Sequence, residues 1–243
     1  MTQELNRTAP GLFHTDVVKY WQQRYDGGDT YWLRKEATAM LVKHYNKLNP
    51  EGKAQNMLLP LCGKSVDLDW LSSQGVPLVV GVDCLLAVLR EVSVRSGQSW
   101  IQTQVSESGS DFQLLERSDG KMKLYSGDML RFSTEIAGTF DAMWERGSLI
   151  ILPPTDINKY AELLKSLLNP GGRILLESIE FDKDAIDPAT DYMPFPPFPY
   201  FPKDIRLLFE PECTVEYLDK SACKWKYGKE THLVIYLITK KNM

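Results

Sequence analysis

A chain of 243 residues with 43% hydrophobic residues can bury one large core, and its formal charge of −4 offers no broad basic surface to a nucleic acid. Its four cysteines, Cys62, Cys84, Cys213 and Cys223, are too widely spaced for a CxxC metal knuckle or a dense disulfide framework. Its three histidines, His14, His44 and His232, match no HExxH spacing. The N-terminus lacks an apolar signal core, and no apolar run approaches the roughly 18 residues of a membrane span. The expectation is a soluble cytoplasmic protein with no metal, nucleic-acid or membrane partner.

Residues 1–13 are polar and read as a loose arm. Thr15 or Asp16 can cap a first helix carrying Val17, Val18 and Trp21, which ends near Asp26-Gly27-Gly28. The region is crowded with aromatics: Tyr20, Trp21, Tyr25, Tyr31 and Trp32. They read either as packing of a helical cap or as rings that close over a cationic ligand. A second helix places Leu33, Ala37, Met40, Leu41, His44 and Leu48 on one face and closes at Asn49-Pro50-Glu51-Gly52. His44 lies at the edge of that face, as a structural residue.

The stretch from Asn56 to Asp83 reads as strand, turn, helix, strand. The apolar run Met57 to Leu61 meets Cys62-Gly63-Lys64-Ser65. Val66, Leu68 and Leu71 follow at helical spacing, Gly75 stops the helix, and Pro77 to Val82 is a second apolar run ending in Asp83. A glycine turn after one buried strand, with an acid about 20 residues on at the end of the next, is how a doubly wound sheet holds a nucleoside. Gly63 lets the backbone approach the ligand, and Asp83 can accept from both ribose hydroxyls. GxGxxG is absent, which speaks against a pyrophosphate and hence a dinucleotide. S-adenosylmethionine has a ribose and an adenine without a pyrophosphate and suits such a turn. The alternative is an ordinary βαβ unit with a solvated acid.

Leu85 to Val94 reads as the next helix. Asp111 to Glu116 and Lys121 to Tyr125 flank Ser118-Asp119-Gly120, a hairpin signal. In Ser126-Gly127-Asp128-Met129, Asp128 suits an adenine amino group and Met129 its ring; a plain surface turn is the alternative. Phe140 to Trp144 is a strand ending at Glu145-Arg146-Gly147-Ser148, where ligands bind in such sheets. Arg146 there is a candidate anchor for an anionic or electron-rich substrate, or else the partner of Glu145 or another acid. Pro153-Pro154 opens a helix capped by Thr155 or Asp156, with Tyr160, Leu163, Leu164 and Leu167 buried. Asn169-Pro170-Gly171-Gly172 ends it, and Arg173 to Ile179 is the fifth strand. Residues 181–202 are rich in proline and aromatics and read as an ordered lid. Asp204 to Phe209 is a short helix. Thr214 to Leu218 and His232 to Thr239 form a terminal antiparallel pair, with Lys224, Lys226 and Lys229 in a solvated turn.

In combination these motifs resemble the thiopurine S-methyltransferase family from about Tyr20 to the C-terminus. The resemblance is carried by Trp21-x-x-Arg24-Tyr25-x-x-Gly28 with Trp32, and by Pro60-Leu61-Cys62-Gly63-Lys64-Ser65 with Trp70-Leu71, Gln74-Gly75 and Gly81-Val82-Asp83. Glu145-Arg146-Gly147, Leu152-Pro153-Pro154 and Pro196-Pro197-Phe198 then follow in the family's order. It implies an α/β class I methyltransferase fold, Rossmann-like: a seven-stranded, mostly parallel sheet with helices on both faces, an antiparallel last strand and an N-terminal helical cap. It implies one domain over 1–243, with 1–50 as arm and cap and 51–243 as catalytic core. It implies S-adenosylmethionine as donor, with Trp21, Tyr25, Trp32, Leu61, Gly63, Asp83, Asp128, Met129 and Arg146 at the cofactor. Trp32, Arg146, Pro196 and Phe198 border the acceptor, with Arg146 the catalytic residue. The expected acceptor is a small thiol, such as a thiopurine or another aromatic or heterocyclic thiol, or a selenium compound, and the expected state is a monomer. The chain departs from the family at Leu33 (usually His), Asp83 (usually Glu), Leu85 and Phe195, largely on the acceptor side. A non-catalytic S-adenosylmethionine-binding module and a methyltransferase for a different small nucleophile are the competing readings.

Overall fold

The computed structural model describes residues 14–107, 109–181, 197–224 and 230–242. Helix α1 (His14–Asp26) and helix α2 (Ala39–Leu48) precede the sheet. The first βαβ unit follows as read: β1 (Asn56–Leu59), α3 (Asp67–Ser73) and β2 (Leu78–Asp83). Next come α4 (Leu86–Arg95), β3 (Trp100–Glu107), β4 (Ser110–Arg117), β5 (Met122–Ser126) and a short α5 (Thr134–Ala137). The second half holds β6 (Phe140–Arg146), α6 (Ser148–Ile151), α7 (Ile157–Leu167), β7 (Leu168–Phe181), α8 (Pro202–Phe209), β8 (Cys213–Lys224) and β9 (Glu230–Lys240).

The strands lie in the order β3-β4-β5-β2-β1-β6-β7-β9-β8. The five central strands, β5, β2, β1, β6 and β7, run parallel, and β9 is antiparallel to both β7 and β8. This is the expected fold class, but the strand count is corrected: nine strands stand among the described residues, not seven. Two extra strands, β3 and β4, extend the β5 edge as an antiparallel ribbon. The sequence hides β3 because Trp-Ile-Gln-Thr-Gln-Val-Ser-Glu is largely exposed, with Ile101 60% accessible, so no apolar face marks it.

The central strands are covered on both faces, and their side chains alternate between two cores. Met57 and Leu59 join a layer with Leu41, Leu68, Leu71 and Leu89, from α2, α3 and α4. Leu58 points the other way, to Tyr160, Leu164, Ile205 and Phe209 of α7 and α8. The chain leaves β1 to one side for β2 and returns on the other as β6, so the carboxyl end of β1 is the switch point of the sheet.

Helix α2 starts later than its periodicity implied: Leu33 and Ala37 precede it. The reason is a buried carboxylate. Asp67, 1% exposed, accepts the Thr38 backbone N–H at 2.7 Å and its hydroxyl at 2.8 Å, which fixes Thr38 in an extended conformation just before the helix. The same carboxylate accepts the indole N–H of Trp144 at 2.9 Å, tying the cap to β6. His44 is structural as read, within 2.8 Å of Asp219. Most of the expected lid, including Phe195 and Pro196, and Lys226 and Lys229 of the expected turn lie outside the described residues.

Candidate active site

One cavity of about 700 Å³ opens between the cap and the carboxyl ends of the strands, within the usual size for a small-molecule site. Its floor is backbone brought to a point. After β1 the chain turns sharply through Leu61 at φ 43° and Gly63 at φ 51°. The Leu61 conformation is unusual for a residue with a side chain, and it lines the cavity. At Gly63 glycine is required twice over, by the positive φ and because a Cβ would sit 2.4 Å from the Tyr25 hydroxyl. Ser148 anchors this turn from across the switch point, its hydroxyl donating to the Pro60 carbonyl at 2.7 Å.

Asp83, 8% exposed, joins the two neighbouring loops. One carboxylate oxygen accepts the Gly63 N–H at 2.9 Å and the other accepts the Leu85 N–H at 3.0 Å. Burial pushes this carboxyl up, and the two amide bonds pull it back. The Cys84 thiol and amide also lie against this carboxylate, so it draws together the ends of both loops. Beside it, burial and the Asp83 charge push the Cys84 thiol up to about 12, which keeps it from acting as a thiolate nucleophile. Asp128 accepts the Leu130 N–H at 2.9 Å and starts a 3-10 turn that presents Met129 to the cavity. Gly127 can only be glycine here, since a Cβ would meet the Phe112 ring at 2.4 Å.

The cap supplies the roof. Trp32 is its hub, meeting Trp21, Tyr25 and Tyr31 edge to face with centroids 5.3, 5.6 and 5.4 Å away. Ring faces in this cluster already hold a cation of the protein's own: Arg24 lies over Tyr20, Tyr31 and Trp32 at 5.5, 5.3 and 5.1 Å. Arg24 is balanced in turn by Asp29 at 3.3 Å.

The far wall is built from charged side chains. Arg146, at the end of β6, donates to the Trp32 carbonyl at 3.0 Å and faces Glu177 with Nε to Oε1 at 3.3 Å. Arg146 and Glu177 are register partners on β6 and β7. Of the alternatives read for Arg146, its acid partner is Glu177 rather than Glu145. Glu145 turns away and accepts the Leu149 amide at 2.5 Å and the Tyr160 hydroxyl at 3.1 Å; burial raises its carboxyl to about 8.

Trp21, Tyr25, Trp32, Leu61, Asp83, Asp128, Met129 and Arg146 all border this one cavity. Gly63 lies in a smaller adjoining recess with Tyr25, Trp32, Leu61 and Arg146. Phe198 departs from expectation: it packs against the core, its N–H donating to the Ile150 carbonyl at 2.6 Å, while its neighbour Pro197 lines the cavity. Proline cannot donate a hydrogen bond, so the strap is pinned through Phe198 and its ring is turned inward. Sequence reasoning missed Glu177, Arg34 and Cys223 in the wall. The one legible signal was Glu177, a single acid inside the apolar run Ile174 to Ile179.

The family model described as Thiopurine S-methyltransferase (TPMT) matches residues 17–236. A probable thiopurine S-methyltransferase of Danio rerio is 31% identical over 198 residues, covering 82% of each chain. The thiopurine S-methyltransferase of Bos taurus is 26% identical over 204 residues, 84% of this chain and 80% of that one. Among solved structures, the Burkholderia thailandensis 1,6-didemethyltoxoflavin-N1-methyltransferase with bound 1,6-didemethyltoxoflavin and S-adenosylhomocysteine superposes with a TM-score of 0.61 at 15% identity, over 93% of this chain and 87% of that one. The N-methyltransferase NodS of Bradyrhizobium japonicum, in complex with S-adenosylhomocysteine, gives 0.59 at 14% identity, over 93% and 99%. With a glycine turn, an acid ending β2 and an aromatic roof around one cavity, and with the family match spanning nearly all of it, the chain belongs to the thiopurine S-methyltransferase family and is an S-adenosylmethionine-dependent methyltransferase.

Proposed function

We propose that the chain moves a methyl group to the sulfur of a small thiol acceptor, the class to which thiopurines and other aromatic or heterocyclic thiols belong, with small selenium nucleophiles as further candidates. The observation that carries this reading is Arg146, held at the switch point between the Trp32 carbonyl and Glu177 and facing the same cavity as Asp83. A fixed cation there favours an acceptor that carries or develops negative charge on a soft atom.

The floor fits S-adenosylmethionine. The Gly63 cradle leaves no room for a side chain, and Asp83, at the cavity edge, would take the ribose hydroxyls. Asp128 and Met129 would serve the adenine, and Trp21, Tyr25 and Trp32 would cover the positive end. When bound, the donor supplies an electrophilic methyl carbon on a sulfonium. What the protein adds is alignment, exclusion of water and charge: oriented reactants reach effective molarities of about 10⁵–10⁸ M. A thiolate is a sufficient nucleophile for direct in-line displacement, so neither a covalent enzyme intermediate nor a metal is required. We take 1–50 as arm and cap over a 51–243 core. We place the protein in the cytoplasm as a monomer acting on small molecules rather than on nucleic acid or membranes. Among the described residues no helix is long and apolar enough to cross a membrane.

The test is release of S-adenosylhomocysteine with 6-mercaptopurine, thiophenol, hydrogen sulfide and selenite as separate acceptors. Turnover on 6-mercaptopurine or thiophenol supports the reading. Turnover on none of the four, with S-adenosylmethionine bound, overturns it in favour of a different small nucleophile.

A further inference from the structure

Glu177 is a charged group inside the cavity wall that thiolate chemistry alone does not use. It is 6% exposed, on a central strand, in a position where an apolar residue would continue the run. Its Oε1 faces Arg146 at 3.3 Å, yet its Oε2 has no hydrogen-bond partner. Arg146 Nε is in the same condition: close to the carboxylate, but with no hydrogen bond formed. Two buried groups therefore stand side by side at the cavity, one with spare acceptor capacity and one with a spare donor. Buried polar groups of this kind are seldom left unsatisfied, and an unsatisfied one at a site is a place for a ligand. A ligand that satisfies both presents a hydrogen-bond donor next to an electron-rich soft atom.

We propose that Glu177 is the proton acceptor of the reaction: it takes the ring N–H proton of a heterocyclic acceptor in its thione form, while Arg146 faces the sulfur. The proposal rests on the S-methylation reading and deepens it. The ring N–H donates to the Glu177 carboxylate while the sulfur lies toward the Arg146 guanidinium. As a sulfur electron pair forms the new S–CH₃ bond, the N–H proton passes to Glu177 and its electron pair closes the C=N bond of the aromatic ring. The bond between the methyl carbon and the donor sulfonium breaks with its pair left on that sulfur. A sulfonium cation and a carboxylate anion are consumed, and a neutral thioether, a neutral methylated heterocycle and a carboxylic acid result, so charge and atoms balance.

The surroundings suit this role. Arg146 approaches from β6, Asp67 from the start of α3, Arg34 from the loop before α2 and Cys223 from β8, while Glu145, next to Arg146, is turned away and feels Glu177 only as a like charge. Burial raises the Glu177 carboxyl from its ordinary value, with Asp67 adding to the rise and Arg146 and Arg34 opposing it. Raising the carboxyl makes its ionised form a stronger base than a carboxylate in water.

The experiment compares wild type with Glu177→Gln, using pyridine-2-thione, its N-methyl derivative and thiophenol. Binding is measured by calorimetry on protein saturated with S-adenosylhomocysteine, and transfer is followed across pH. Wild type should bind pyridine-2-thione about tenfold more tightly than the N-methyl compound, the loss of roughly one charged hydrogen bond. Glu177→Gln should erase that preference, lower kcat/KM for the thione about 10²-fold and flatten its rise with pH, with a clearly smaller loss for thiophenol, whose thiolate has no ring N–H to give up. Equal binding of the two thiones by wild type, or an equal loss for thione and thiophenol in the variant, would overturn the proposal. The wild-type binding arm needs no variant to fold. If wild type methylates no thiol, the S-methylation reading fails, and the thione preference still decides whether Glu177 recognises the N–H.

Discussion

The floor of the cavity and its far wall are built by different means. On the floor, the turn at Leu61 to Gly63 and the loop at Cys84 and Leu85 are held by amides converging on Asp83, with the Ser148 hydroxyl bracing the turn at Pro60. On the wall, Arg146, Glu177, Arg34 and Cys223 come from four separate elements, and their positions depend on charge and packing rather than on the backbone. A backbone-built floor fixes a ligand that all members must share. A wall of side chains can be changed one residue at a time without disturbing the backbone turns that build the floor.

The sharpest test of that contrast is Arg146→Ala. It strands Glu177, only 7% exposed at its side chain, and removing one partner of a buried pair costs about 3–5 kcal/mol of stability. Turnover should fall about 10²-fold from loss of the fixed cation, while S-adenosylmethionine affinity changes little. Arg146→Lys keeps the charge and the fold but lacks the planar fork, so calorimetry and kinetics on both variants separate structure from chemistry. An unchanged rate with thiols would end the assignment. Asp83→Ala should do the reverse: orphaning a buried amide donor costs about 1–3 kcal/mol, and cofactor affinity should drop tenfold or more, with the wall's acceptor preference intact. The smallest effect separates space from strain. Gly63→Ala should cost about 1–2 kcal/mol from its left-handed backbone plus the clash with the Tyr25 hydroxyl, and Tyr25→Phe in the same chain should remove the clash but not the strain. Thermal melts of the single and double variants measure the two contributions.

The same contrast explains what could be read from the sequence. Asn56 to Asp83 was legible because a strand buried on both faces leaves a continuous apolar run, and a turn with positive φ leaves a glycine. Arg146 was legible because a strand end has a known place in such sheets. Strand β3 was not, because an exposed ribbon has no apolar face. The start of α2 was not, because the contact that delays it joins Thr38 to Asp67, distant in the chain. Glu177 was visible as an odd acid in an apolar run, but only its register with Arg146 gives it a neighbour.

The Asp67 carboxylate has a mechanical consequence. Trp32 is tied to Arg146 through its carbonyl, Arg146 follows Trp144 along β6, Trp144 is tied to Asp67, and Asp67 holds Thr38, six residues on from Trp32. These links close a ring. The hub of the aromatic roof and the cation of the far wall are thus two points on one rigid frame, whereas Trp21 meets Trp32 through ring contact alone. The spacing between the roof's central ring and the wall's cation is therefore set by this frame and not by the packing of α1.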